Sequence, residues 1–143
     1  MPRASLAIRM LFAACLLGAT YNHVVAVIEH GWLWDYGYGA ATSTFSKLYW
    51  SALTLLDPLA AALLFVRPRA GVWLTLLIIV SDVLHNTWYV ATHGQWSAPF
   101  YLAQVGFLIL VSGLAPVALR GIATPFRHRY QTASKTADRV FRH

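Results

Sequence analysis

Asp82, His85, Asn86 and Tyr89 place a carboxylate, an imidazole, an amide and a phenol in the stretch Ser81-Asp82-Val83-Leu84-His85-Asn86-Thr87-Trp88-Tyr89, within an otherwise apolar run. Their spacing of i, i+3, i+4 and i+7 puts them on one face of a helix. In a membrane such a face must turn away from lipid, because an ionisable side chain near the bilayer centre is costly unless it meets partners or water. An acid, a base and hydrogen-bonding groups on one inward face suit proton transfer to and from a bound molecule.

The rest of the chain is built to hold such a face inside a bilayer. Of its 143 residues 58% are hydrophobic and 11% charged, far from the soluble globular norm. The length suits one domain. A lone cysteine, Cys15, excludes an internal disulfide and a cysteine-rich metal site, and in its apolar run it reads as a packing residue. The sequence around it is a poor echo of a lipoprotein cleavage site, and the continuing apolar run argues against a cleaved signal.

Runs of roughly 20 apolar residues are needed to span the hydrocarbon core. Four such runs stand near residues 6–28, 45–66, 72–91 and 99–119. The expected fold is therefore all-α, an integral membrane four-helix bundle over residues 1–120, followed by a basic tail over 121–143. Ser43 or Thr44 can cap the second helix, Arg67-Pro68-Arg69-Ala70-Gly71 reads as a tight turn, and Ser97 with Pro99 resembles a capped start. Arg3, Arg9, Arg67, Arg69, Arg120 and the tail cations fall on one side of the spans, and Lys47 on the other. The positive-inside rule then makes both termini cytoplasmic, with a bacterial inner membrane as the expected location. The net charge of +6 is a membrane feature, the tail suiting an amphipathic helix on an anionic leaflet rather than a nucleic-acid surface.

With that orientation the polar residues gather at one level. Asn22 and His23 on the first helix, Tyr49, Trp50, Thr54 and Asp57 on the second, Asp82 through Tyr89 on the third, and Tyr101 and Gln104 on the fourth all fall from the midplane outward, with Glu29 at the outer rim. Convergence from every helix predicts a polar-floored cavity opening outward or sideways. Pro58 adds a free acceptor, since it cannot bond to the Thr54 carbonyl. The plainer reading makes Asn22, Thr54, Asn86 and Gln104 interhelical glue, and the aromatics interface anchors. The loop His30-Gly31-Trp32-Leu33-Trp34-Asp35-Tyr36-Gly37-Tyr38 reads as such an anchor, or as a lid over the cavity.

Ile28-Glu29-His30-Gly31-Trp32, Leu56-Asp57-Pro58-Leu59 and Ser81-Asp82-Val83-Leu84-His85 appear in the order of three motifs of the EXPERA domain, the family of the emopamil-binding protein and the sigma-two receptor, which the chain resembles over most of its membrane portion. The resemblance implies four helices with acidic residues in the bundle and matches Glu29 and Asp82, with Asp57 a neighbour by location. The sterol isomerases' other catalytic positions fall here at Val25, Tyr49 and near Leu110, so sterol isomerase activity is not carried over.

The leading expectation is an EXPERA-like protein that binds a sterol-like or isoprenoid molecule in an acidic intramembrane cavity, with lipid double-bond isomerisation as its catalytic form. Asp57 and Asp82 would divide into one protonated and one ionised group, His85 would shuttle the proton, and Glu29 would anchor the entrance. Asn22, His23, Tyr49, Trp50, Thr54, Asn86, Tyr89, Tyr101 and Gln104 would line the ligand. This reading needs no cofactor and no metal. Its partners are a hydrophobic or cationic amphiphilic small molecule and membrane lipid, with a homodimer compatible with the size of the chain. Two alternatives stand beside it: a metal or haem held by His23 and His85 with Asp82, and a small transporter using the Asp/His stripe.

Overall fold

The computed structural model describes residues 3–120 and 122, and the basic tail expected over 121–143 otherwise lies outside the described residues. Among the described residues the chain is all-helical: α1 (Arg3–His30), α2 (Thr44–Val66), α3 (Pro68–His93) and α4 (Pro99–Ala118). Each of the four is long and apolar enough to cross a membrane. Every helix packs on its chain neighbours and α4 closes on α1, whereas the backbones of α2 and α4 stay apart across the bundle. Two ends result. The cationic end carries the start of α1, the α2–α3 turn and the close of α4; the loop end carries residues 31–43 and 94–98.

The local sequence explains the helix limits. Ser43 caps α2, its Oγ accepting from the Ser46 N–H at 3.1 Å. α2 continues through Pro58 to Val66. The tight turn expected over residues 67–71 is shorter than that: α3 starts at Pro68, whose fixed φ and missing N–H suit the first helical position. Ser97 does not cap α4, which follows Ala98 with Pro99 in its first turn. Gly71 then lets α3 meet α2 closely, since a Cβ there would collide with the Leu64 backbone.

The cationic half is filled. Phe12, Leu16, Leu64, Val72 and Val111 are buried in one cluster, with Phe107 set edge-on against Phe12 at 6.2 Å between ring centres. Arg9, counted in the sequence as one of the charges of the cytoplasmic side, is 1% exposed. Its Nη1 donates to the Leu64 carbonyl at 2.8 Å and its Nε to the Ser5 carbonyl at 3.2 Å. A cation is favourable there because the last carbonyls of α2 form the negative end of that helix. Ser5 Oγ donates to the Ala118 carbonyl at 2.6 Å, tying α1 to the end of α4.

Candidate functional site

Above this packed half, toward the loop end, lies a cavity of about 450 Å³. That is within the range of sites for small ligands. Asn22 and His23 enter it from α1, Trp50 and Asp57 from α2, Asp82 and Asn86 from α3, and Gln104 from α4. Leu16, Ile78, Ile79, Phe100 and Phe107 supply apolar wall. Cys15 and Asn22 of α1 and Phe100 and Ala103 of α4 line the cavity and are themselves exposed residues.

Asp57 and Asp82 come from different helices, line the same cavity and both have little exposure. Each is held differently. Asp82 Oδ1 accepts from Asn86 Nδ2 at 2.9 Å; that nitrogen also donates to Gln104 Oε1 at 3.2 Å, while Asn86 Oδ1 accepts from Trp50 Nε1 at 2.9 Å. The Asn86 amide is thereby fixed in orientation by an indole donor on one side and two acceptors on the other. Asp57 Oδ2 lies 3.8 Å from His23 Nε2, and His23 Nδ1 is 2.8 Å from the Tyr36 hydroxyl.

Tyr36 and Tyr38 form the roof, and the sequence did not place them among the lining residues. Tyr36 packs against Trp50 at 5.2 Å and Trp34 at 4.7 Å, and Tyr38 stacks on Trp50 at 5.8 Å while its hydroxyl donates to Gln95 Oε1 at 3.1 Å. Tyr36 holds φ at 53°, a left-handed conformation unusual for a bulky residue, so its contacts must stabilise it. Burial, then the carboxyls of Asp82 and Asp57, push the Tyr36 phenol up to about 12. It is therefore protonated at neutral pH and can donate to His23 Nδ1, which turns the Nε2–H of a neutral ring toward Asp57. The signal for this roof was the density of aromatics and glycines in the loop, which fits lid and anchor alike.

The α3 stripe does not face a single space. His85 and Asn86 are one residue apart, about 100° around the helix. Trp50 stands between them: it bonds to Asn86 on the cavity side, and its ring meets His85 at 5.5 Å and Tyr89 at 4.9 Å on the other. His85 and Tyr89 thus line a second recess of about 570 Å³ between the starts and ends of α2 and α3. The remaining expected residues also lie off the acid cavity. Tyr49 bonds to Ser81 Oγ at 2.8 Å, Tyr101 to Thr87 Oγ1 at 2.9 Å, and Thr54 is buried with Oγ1 unpartnered among the described residues. Glu29 is exposed at the rim, 3.8 Å from His30.

Among the described residues no three histidine, cysteine, aspartate or glutamate side chains converge as a metal site would require. His23 and His85 also line different spaces, which does not fit a haem ligated by both. Comparison with protein-family models, with curated proteins and with solved structures finds no match.

Proposed function

We propose that this chain is an EXPERA-like membrane protein that takes a hydrophobic molecule, sterol-like or isoprenoid, into the cavity between its helices. The observation that carries this reading is the meeting of Asp57 and Asp82, from separate helices, on one cavity whose other walls are mostly apolar and aromatic. The carboxyls and the Asn86 amide address a small polar head; Phe100, Phe107, Ile78 and Ile79 address a hydrocarbon body. Passage between the exposed lining residues of α1 and α4 would give a membrane-dissolved molecule a route that avoids water.

In its catalytic form the site moves a double bond. One carboxyl gives a proton to an alkene carbon and the other takes a proton from a neighbouring carbon, so the lipid is rearranged with no net gain of atoms. Trp50, Tyr36 and Tyr38, aromatic residues of the lining, would stabilise the intervening cation. His23 joins this chemistry at Asp57. His85, lying across Trp50 from the carboxyls, has no direct part in it. A transport path receives no support, because the cationic half beneath the cavity is filled by the Phe12, Leu64 and Val111 cluster.

The test is binding and turnover of a fluorescent sterol and of a long-chain isoprenoid alcohol by the full-length protein in nanodiscs. Asp82→Asn and Asp57→Asn should each weaken binding of at least one probe tenfold or more, with the fold retained. Unchanged binding and turnover in a folded Asp82→Asn protein would end this reading.

A further inference from the structure

Four side chains at the acid cavity form a hydrogen-bonded chain with a fixed sense. The indole of Trp50 can only donate, so its Nε1 contact of 2.9 Å settles which atom of the Asn86 amide is the oxygen. The other atom is then the nitrogen, and its two N–H bonds need acceptors. They find Asp82 Oδ1 at 2.9 Å and Gln104 Oε1 at 3.2 Å. Gln104 must therefore turn its oxygen to Asn86, which leaves its own NH2 group over. Among the described residues neither Gln104 Nε2 nor Asp82 Oδ2 has a hydrogen-bond partner, and the unpartnered atoms that are sealed from contact belong to Thr42, Thr54 and His85 instead. Both residues line the cavity, so one donor and one acceptor remain open there.

Interhelical bonding accounts for only half of this amide. Gln104 stands in a helix whose other polar side chains are Tyr101 and Ser112, and its bond to Asn86 uses Oε1 alone. The unmatched NH2 group is a cost that an acceptor on a ligand would offset. Each open atom shares a carbon with an atom bonded to the one Asn86 nitrogen, so donor and acceptor stand close together. A hydroxyl answers both, giving its proton to Asp82 Oδ2 and accepting from Gln104 Nε2. A ketone cannot give, a protonated amine cannot accept, and a hydrocarbon does neither. Phe100, Ala103, Gln104 and Phe107, spaced i, i+3, i+4 and i+7 on α4, share one helix face and all line the cavity, so apolar wall adjoins the pair. We propose that the cavity selects a lipid alcohol by its hydroxyl group, with Gln104 and Asp82 as the reading pair and Trp50, acting through Asn86, as the positioning residue that sets its sense. The proposal rests on the binding reading above and not on its catalytic form.

The experiment uses the full-length protein in nanodiscs and two matched series of probes, each titrated separately and read by native mass spectrometry. One is cholestanol, its 3-ketone and cholestane; the other is geranylgeraniol, its aldehyde and the parent hydrocarbon. In at least one series the alcohol should bind about tenfold more tightly than the carbonyl compound or the hydrocarbon. Gln104→Met should bring that ratio to about threefold or less. Trp50→Phe, which keeps Gln104 and Asp82 but releases Asn86 to turn, should lower the ratio as well. Equal binding of alcohol and carbonyl compound in both series overturns the proposal and leaves the cavity reading standing. So does a Gln104→Met protein that binds every probe more weakly by one common factor, as loss of a purely interhelical bond would produce. Binding of no member of either series overturns both. If Gln104→Met does not fold, an unchanged ratio in Trp50→Phe overturns the proposal alone.

Discussion

At the cationic end, buried polar side chains bond to main-chain carbonyls: Ser5 to Ala118, Arg9 to Leu64, Thr75 to Gly71. At the loop end they bond to one another around open space, as Trp50, Asn86, Asp82 and Gln104 do on one side and His23 and Tyr36 on the other. A side chain tied to a helix's own carbonyls serves the bundle and has little to offer a visitor. A network of side chains beside a cavity can exchange one partner for a ligand atom. The two halves thus separate close packing from a lined cavity within the same four helices, and substitutions in each should fail differently.

The largest stability loss should come from Gly71→Val. Its side chain would strike the Leu64 backbone, which cannot move as a flexible side chain can, and overpacking of that kind costs about 3 kcal/mol. Loss of folded protein in detergent, followed by thermal unfolding, measures it. Arg9→Met should come next, at about 2 kcal/mol, because it removes charged hydrogen bonds to the Leu64 carbonyl at the end of α2 and to the Ser5 carbonyl in the first turn of α1. An equal unfolding temperature for either variant would erase the distinction between the halves.

In the cavity half the order reverses. Asp57→Asn and Asp82→Asn keep shape and remove charge, so stability should change by less than about 1 kcal/mol while probe binding falls tenfold or more. A Tyr36→Phe variant should lose about 1 kcal/mol with its bond to His23 and loosen the roof, read as faster probe dissociation. The smallest effect is in alkali. Tyr36 titrates near 12 in the folded protein, above the ordinary value of 10.0. What it contributes is therefore intact below about pH 10 and lost as pH rises toward 12. Phenolate absorbance should show a late-titrating tyrosine that disappears in Tyr36→Phe.

Much of this architecture was legible in the residues. Apolar runs of spanning length, broken by Ser43, Pro68 and Pro99, mark the helices, and the gathering of Asp57, Asp82, Asn86, His23 and Gln104 at one level marks the cavity. What could not be read is how a wide polar face is divided. Asp82 and Asn86 share the cavity, while His85 and Tyr89 lie beyond Trp50 because a tryptophan from α2 wedges into the stripe, a fact of tertiary packing that α3's own spacing cannot encode. Arg9 misled for a related reason. A charge near a helix start normally marks the membrane surface, but here the carbonyl end of a neighbouring helix receives it. The roof of Tyr36 and Tyr38 depends on left-handed backbone at Leu33 and Tyr36, conformations that those residue types do not announce.

The measurement closest to the centre of this account is an infrared titration of the buried carboxyl groups in the ligand-free protein, comparing the unaltered chain with Asp57→Asn and with Asp82→Asn. If the two side chains share one cavity, removing either should move the protonation midpoint of the one that remains. Midpoints that stay fixed in both variants would mean the carboxyls do not sense each other, and the shared acid cavity would be contradicted.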